Sequence, residues 1–83
     1  MAANTKERDG VTFEIQRHVG VISSYPTGWR KELNLVAWNG NATKIDIRDW
    51  DPEHDHMSRG VTLHKDEALK LKDLLNAFDF RSM

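Results

Sequence analysis

Residues 29–50 read WRKELNLVAWNGNATKIDIRDW, and this stretch predicts a β-hairpin around which the rest of the chain is organised. Apolar and polar side chains alternate along both arms with the two-residue period of a strand. Asn39-Gly40 tolerates the positive φ angles of a tight hairpin turn, although Asn41-Ala42 extends the predicted loop to about four residues. The fold is therefore expected to be built on an antiparallel sheet.

The alternation divides the hairpin into two unlike faces. One, the aliphatic face, is predicted to hold the core and comprises Leu33, Leu35, Ile45 and Ile47. The other, the tryptophan face, is the candidate binding surface and comprises Arg30, Asn34, Trp38, Lys44, Arg48 and Trp50. Three further residues complete the candidate set. Trp29 and Lys31 share the parity of the aliphatic face but lie where a twist can turn them outward, and Arg17 interrupts the apolar row of the preceding strand.

The remaining segments predict an α+β fold with four strands and one C-terminal helix. Residues 1–10 show no periodicity and are expected to form a disordered tail before a single domain over residues 11–83. Residues 13–21 alternate like a strand, with Gly20 as a bulge. A polar loop over residues 51–60 leads to a short strand at residues 61–63. Apolar residues then recur every three or four positions from Lys65 to about Phe80, which predicts an amphipathic helix.

Composition limits the classes of function. A chain of 83 residues buries only about 60 to 65% of its unfolded surface, so dimerisation would help its stability. The absence of cysteine excludes disulfides, thiolate catalysis and cysteine-based zinc sites. No apolar run suits a signal peptide or a membrane helix, and a cytoplasmic protein is expected. Because the net charge is −1, a nucleic-acid site must come from how charges are distributed between faces.

All three tryptophans lie in residues 29–50, interleaved with arginine and lysine. Bases stack on aromatic rings and phosphates attract cations, so this combination favours a non-enzymatic binder of single-stranded nucleic acid. The alternative is a protein interaction or dimerisation module whose interface buries the same tryptophans. A third hypothesis, a metal-dependent nuclease, rests on the loop cluster Asp49, Asp51, Glu53, His54, Asp55 and His56. Its spacing matches no metal motif, so no metal, cofactor, catalytic residue or small-molecule substrate is predicted.

Three motifs occur in order. They are GWRKELNLVAWN at residues 28–39, IDIRDW at residues 45–50 with Pro52, His54 and Met57 after it, and GVTL at residues 60–63 before the helix. Together they resemble the bacterial YdbC-like branch of the positive cofactor four family of transcriptional coactivators. The similarity spans residues 13–75. Its most specific part is IDIRDW followed by the proline-containing loop, because order and spacing match together.

The resemblance implies a strongly curved antiparallel sheet of four strands with one helix, paired into a homodimer partly through the helices. It implies binding of single-stranded DNA with little sequence preference, in transcription regulation or DNA maintenance, with RNA left open as a ligand. Matched by motif position, Arg48 and Trp50 would contact DNA, and Trp38 and Arg30 lie in a strand of the same surface. A bacterial member would be nucleoid-associated.

Overall fold

A computed structural model describes residues 5–8 and 10–83 as one antiparallel sheet followed by a helix. The strands are β1 (Thr5–Arg8), β2 (Val11–Ser24), β3 (Arg30–Trp38), β4 (Lys44–Trp50) and β5 (Val61–Leu63), and they lie in the sheet in chain order. The helix α1 spans Lys65–Ala77, and a short 3-10 turn follows at Phe80–Ser82. The predicted α+β class with one C-terminal helix is confirmed.

The strand count differs from the prediction, because the sheet has five strands rather than four. The additional strand, β1, lies within residues 1–10, which were predicted to form a disordered tail. It pairs with the start of β2, from Thr5 opposite Glu14 to Arg8 opposite Val11. Its sequence, Thr-Lys-Glu-Arg, has no apolar residue, so the strand gives no periodic signal. The part of the tail at residues 1–4 and 9 lies outside the described residues.

Strand β2 bends the sheet. Its register with β3 shifts at three places, between Ile15 and Arg17, between His18 and Gly20, and between Val21 and Ser23. Such bulges bend a strand and increase its twist. The sequence predicted one bulge, at Gly20.

The bend brings opposite ends of the sheet together. Phe13 pairs with Trp38 at one end of β3, and Trp50 pairs with Arg30 at the other end. Eight residues of extended strand span roughly 26 Å. The ring centroids of Phe13 and Trp50 are nevertheless 5.3 Å apart, which requires a strongly curved sheet.

The predicted turn joins β3 and β4. Asn39 and Gly40 both have positive φ, 50° and 73°, and the N–H of Asn41 donates to the carbonyl of Trp38 at 2.8 Å. The side chain of Asn39 also accepts a hydrogen bond from the N–H of Thr12. The turn therefore fixes the hairpin register and attaches it to β2.

The buried core lies on the tryptophan face, which corrects the prediction that the aliphatic face holds it. Among the residues that the structure describes, the buried apolar side chains are Phe13, Val36 and Trp50, and Ile15, Trp38 and Met57 pack against them. The concave side of the curved sheet encloses these residues. On the aliphatic face, α1 buries none of its own residues.

Between α1 and the sheet a groove of about 470 Å³ remains open. Its lining includes Val19, Leu33, Ile45, Ile47, Leu71 and Leu75. The aliphatic residues of the hairpin are therefore only partly buried within one chain.

Candidate nucleic-acid interface

Strand register gathers most of the predicted site residues on one face. The pairs across β3 and β4 are Arg30 with Trp50, Glu32 with Arg48, Asn34 with Asp46, and Val36 with Lys44. Directly opposed residues of an antiparallel pair point to the same side of the sheet. Trp38 continues this row by the two-residue period. All six residues assigned to the tryptophan face thus share it.

Of the other three predicted residues, two lie on the opposite side of the sheet and one lies outside the strands. Arg17 pairs with Leu35, because the bulge after Ile15 changes the parity of β2, so it lies on the aliphatic side. Lys31 pairs with Asp49 and also lies on that side. Trp29 precedes β3, and its carbonyl accepts a hydrogen bond from the N–H of Tyr25 at 2.9 Å.

Trp50 and Asn34 are fully buried, each with 0% exposure. Trp50 packs between the rings of Phe13 and His54, with centroid distances of 5.3 and 5.6 Å. The Oδ1 of Asn34 lies 2.7 Å from Nδ1 of His18, and its Nδ2 donates to Glu32 at 3.1 Å. In this conformation both side chains stabilise the interior of the face and offer no surface to a ligand.

A buried carboxylate, which the sequence reasoning did not single out, lies at the centre of the face. Glu32 is 0% exposed and contacts Nε2 of His54 at 2.9 and 3.0 Å and Nη2 of Arg30 at 3.1 Å. Burial acts to raise the pKa of Glu32. Hydrogen bonds from Asn34 and His54 and the charges of His54 and His18 outweigh it, so the pKa lies below 4.5. The sequence contained one sign of this carboxylate, because Glu32 shares a strand face with the apolar residues Val36 and Trp38.

Arg48 is held by a dense set of contacts. Its Nε and Nη2 donate to the two carboxylate oxygens of Asp46, at 2.6 and 2.8 Å. Nη2 also donates to Thr62, and Nη1 contacts the carbonyl of Ser58 and the sulfur of Met57. The guanidinium carbon lies 4.6 Å from the centroid of the Trp38 ring. Arg48 and Trp38 therefore form a stacked pair.

The rim of the face is more accessible. Trp38 and Lys44 are half-buried, and the side chain of Arg30 is 40% exposed. Lys44 forms no ion pair or side-chain hydrogen bond within residues 5–8 and 10–83. These three side chains can meet a ligand without rearrangement of the core.

Both tryptophans of the face have a buried indole N–H without a hydrogen-bond partner among the described residues. An unsatisfied buried donor typically costs about 1 to 3 kcal/mol. The interior of the face therefore contains two unsatisfied hydrogen-bond donors close to Glu32 and Asp46, whose carboxylates are hydrogen-bonded.

The profile of the family described as Transcriptional Coactivator p15 (PC4) matches residues 25–74, which is more than half of the chain. The chain belongs to the PC4 family. The predicted resemblance is confirmed. A relative from Treponema pallidum (strain Nichols), an uncharacterized protein, is 42% identical over 69 residues, covering 83% of this chain and 81% of the relative. The match supports a DNA-binding, coactivator-like and non-enzymatic role.

In this PC4-family chain, the matched segment contains β3, β4, β5 and most of α1, while β1 and β2 precede it. Six of the nine predicted site residues belong to the part of the tryptophan face that the match covers, namely Arg30, Asn34, Trp38, Lys44, Arg48 and Trp50. Phe13 and His18, which close the face from β2, lie before it.

The loop over residues 51–60 is organised by its own contacts. The Oδ1 of Asp51 accepts hydrogen bonds from the N–H groups of Asp55 and His56, at 2.8 and 3.0 Å. Its Oδ2 lies 3.3 Å from Nδ1 of His56. His54 turns instead toward Glu32. In the described part of this PC4-family chain, no three histidine, aspartate or glutamate side chains converge as metal ligands.

Within the described residues, no helix of this chain is long and apolar enough to cross a membrane.

Proposed function

We propose that the chain binds single-stranded DNA with little sequence preference, as a non-enzymatic homodimer acting in transcription regulation or DNA maintenance. The observation that carries the proposal is the β3–β4 register, which places Trp38 with Arg30, Lys44 and Arg48 on one sheet face. Aromatic rings interleaved with cations suit a strand whose bases are unpaired. Membership of the PC4 family supports the same assignment.

The contacts are proposed to begin at the rim. Trp38 would stack a base, and Arg30 and Lys44 would lie near phosphates. Each stacked base contributes roughly 1 to 3 kcal/mol, so a protein with a net charge near zero can still bind. Trp50 and Asn34, buried behind the rim, would support the surface. Arg17 and Lys31, on the opposite side of the sheet, and Trp29, before β3, would contribute at most at the edges of a longer strand.

The homodimer is proposed to form through the open groove between α1 and the aliphatic face. Large apolar side chains along α1, including Leu69, Leu74 and Leu75, are about half exposed. A second copy would cover them together with the aliphatic residues of the hairpin. Sedimentation equilibrium measures the mass directly, and a monomer at micromolar concentration would contradict this part of the proposal.

The binding test compares two variants with a matched control. Trp38→Ala should weaken binding to labelled oligo-dT by at least about fivefold through lost stacking. Lys44→Met should make the dependence of affinity on salt less steep, reducing the magnitude of the slope of log affinity against log salt by about 0.7. Lys65→Met, at the exposed start of α1, should change neither quantity. Titrations with oligo-dT, its duplex and the matching RNA at two salt concentrations give the strand preference.

Only single replacement of Trp38 is suitable, because loss of a buried Trp50 would cost about 3 to 5 kcal/mol of stability and confuse the result. A folded Trp38→Ala variant with unchanged affinity would refute the site. Tryptophan fluorescence that is insensitive to every nucleic acid would favour the alternative of a protein interaction module. Cleavage of DNA that stops with EDTA would instead support a metal-dependent nuclease. A cytoplasmic, nucleoid-associated location follows if the DNA-binding proposal holds.

A further inference from the structure

The guanidinium of Arg48 has no donor left for a phosphate. Arginine carries five N–H groups. One on Nε and one on Nη2 donate to Asp46, the second on Nη2 donates to Thr62, and those on Nη1 face the Ser58 carbonyl and the Met57 sulfur. The side chain is only 13% exposed. A phosphate could reach Arg48 only by displacing contacts that already satisfy it.

The charge of Arg48 is also neutralised locally. Asp46, its bidentate partner, is 0% exposed and accepts a further hydrogen bond from the hydroxyl of Thr62 at 2.9 Å. A planar guanidinium held at two points by one carboxylate has a fixed orientation. The pair therefore behaves as a rigid neutral unit on the tryptophan face and adds little to attraction of a strand.

The rigid unit lies against the ring of Trp38. The 4.6 Å separation between the guanidinium carbon and the ring centroid is within the range of cation–π stacking. Phe13 contacts the same indole, with ring centroids 5.8 Å apart and planes tilted by 46°. Trp38 is thus fixed by Arg48 and by Phe13 while it stays half-exposed at the rim.

We propose that Arg48 is a positioning residue that acts through Trp38 and makes no phosphate contact. This inference rests on the proposed function, and it reassigns the role that the resemblance implied for Arg48. Asp46 and Thr62 hold the guanidinium, the guanidinium holds the indole, and the indole stacks the base. The energy that Arg48 contributes to binding therefore depends on the presence of bases and is independent of salt.

The experiment compares Arg48→Met with Lys44→Met on two ligands, oligo-dT and an abasic strand of the same length. Arg48→Met should weaken oligo-dT binding about fivefold to tenfold, leave abasic binding unchanged and leave the salt slope unchanged. Lys44→Met should weaken binding to both strands alike and lower the salt slope by about 0.7. In a Trp38→Ala background, Arg48→Met should cause no further loss. Circular dichroism and thermal melts establish that each variant is folded.

Two further variants keep the inference testable if Arg48→Met fails to fold, because Asp46 would then be a buried charge without a partner. Arg48→Lys retains the charge but cannot bind Asp46 at two points, so it should also lose oligo-dT affinity with an unchanged salt slope. The pair Asp46→Asn with Arg48→Met removes both charges and should behave like Arg48→Met.

The inference would be overturned if Arg48→Met or the charge-neutral pair lowers the salt slope and weakens abasic binding, or if Arg48→Lys binds like the wild type. Failure of the proposed function looks different, since Trp38→Ala and Lys44→Met would then leave affinity unchanged.

Discussion

Replacing Gly60 by alanine tests how closely the loop before β5 packs against β4. A Cβ atom at this position would overlap the Cβ of Arg48 and the carbonyl oxygen of Ile47, and would stand 3.1 Å from Nε of Arg48. Two of these three atoms cannot move away easily, because one is backbone and the other is attached to it. The loop must therefore shift away from β4, or Arg48 must leave its place.

The cost follows from the overlap. One extra carbon in a well-packed site typically costs 1 to 3 kcal/mol, while replacing glycine by alanine returns about 0.4 to 1 kcal/mol by restricting the unfolded chain. Because two of the three contacts would be shorter than 3.0 Å, the packing cost lies in the upper part of its range, at about 2 to 3 kcal/mol, and the net loss is about 1 to 2 kcal/mol. For a domain of this size each kcal/mol corresponds to roughly 4 to 8 °C, so Tm should fall by about 5 to 15 °C.

Thermal melts followed by circular dichroism measure this shift, with urea titrations as an independent estimate of the free energy of unfolding. Gly20→Ala is the matched control, because its Cβ would have no atom within 4 Å and its Tm should stay unchanged or rise. Equal Tm values for Gly60→Ala and the wild type would refute the packing described for this loop. If Arg48 positions Trp38, Gly60→Ala should also weaken oligo-dT binding.

Two further predictions concern the interior of the tryptophan face. The lowered pKa of Glu32 stabilises the fold above pH 4.5, and this contribution is lost as pH falls below 4.5. The free energy of unfolding should therefore fall less steeply below pH 4.5 in Glu32→Gln than in the wild type, and parallel urea-derived profiles would contradict this. Phe13→Ala removes a ring that is 1% exposed and should cost about 3 to 5 kcal/mol, whereas a loss under about 1 kcal/mol in urea titrations would show that the curved sheet does not depend on it.

Local pattern was sufficient to predict which side chains share a face. Arg30, Asn34, Arg48 and Trp50 lie together because the two-residue period and the Asn39-Gly40 turn determine the register of a hairpin. The two-residue period did not place Arg17 correctly. A bulge after Ile15 moves Arg17 to the opposite face, and no residue in that segment is of a type that indicates a bulge. The helix was also predicted closely, ending at Ala77 rather than near Phe80.

Which face of the hairpin is buried could not be predicted from local pattern, because burial depends on the curvature of the whole sheet. Leu33, Leu35, Ile45 and Ile47 are the most apolar residues of the hairpin, so they were assigned to the core. Curvature encloses the opposite face instead, and Phe13 from β2 reaches Trp50 on β4. The pairing of Glu32 with His54 was equally hidden, since 22 positions separate two residues that local periodicity cannot relate.

The buried indole N–H of Trp50 offers a way to observe the sheet in motion. Within the described residues no acceptor holds this proton, so burial alone separates it from water. In deuterated solvent its NMR signal should therefore decay at a rate that depends on how often the curved sheet opens near Phe13 and His54. A ligand that binds only the closed sheet, whether it stacks on Trp38 or enters the concave interior, should slow this decay by mass action.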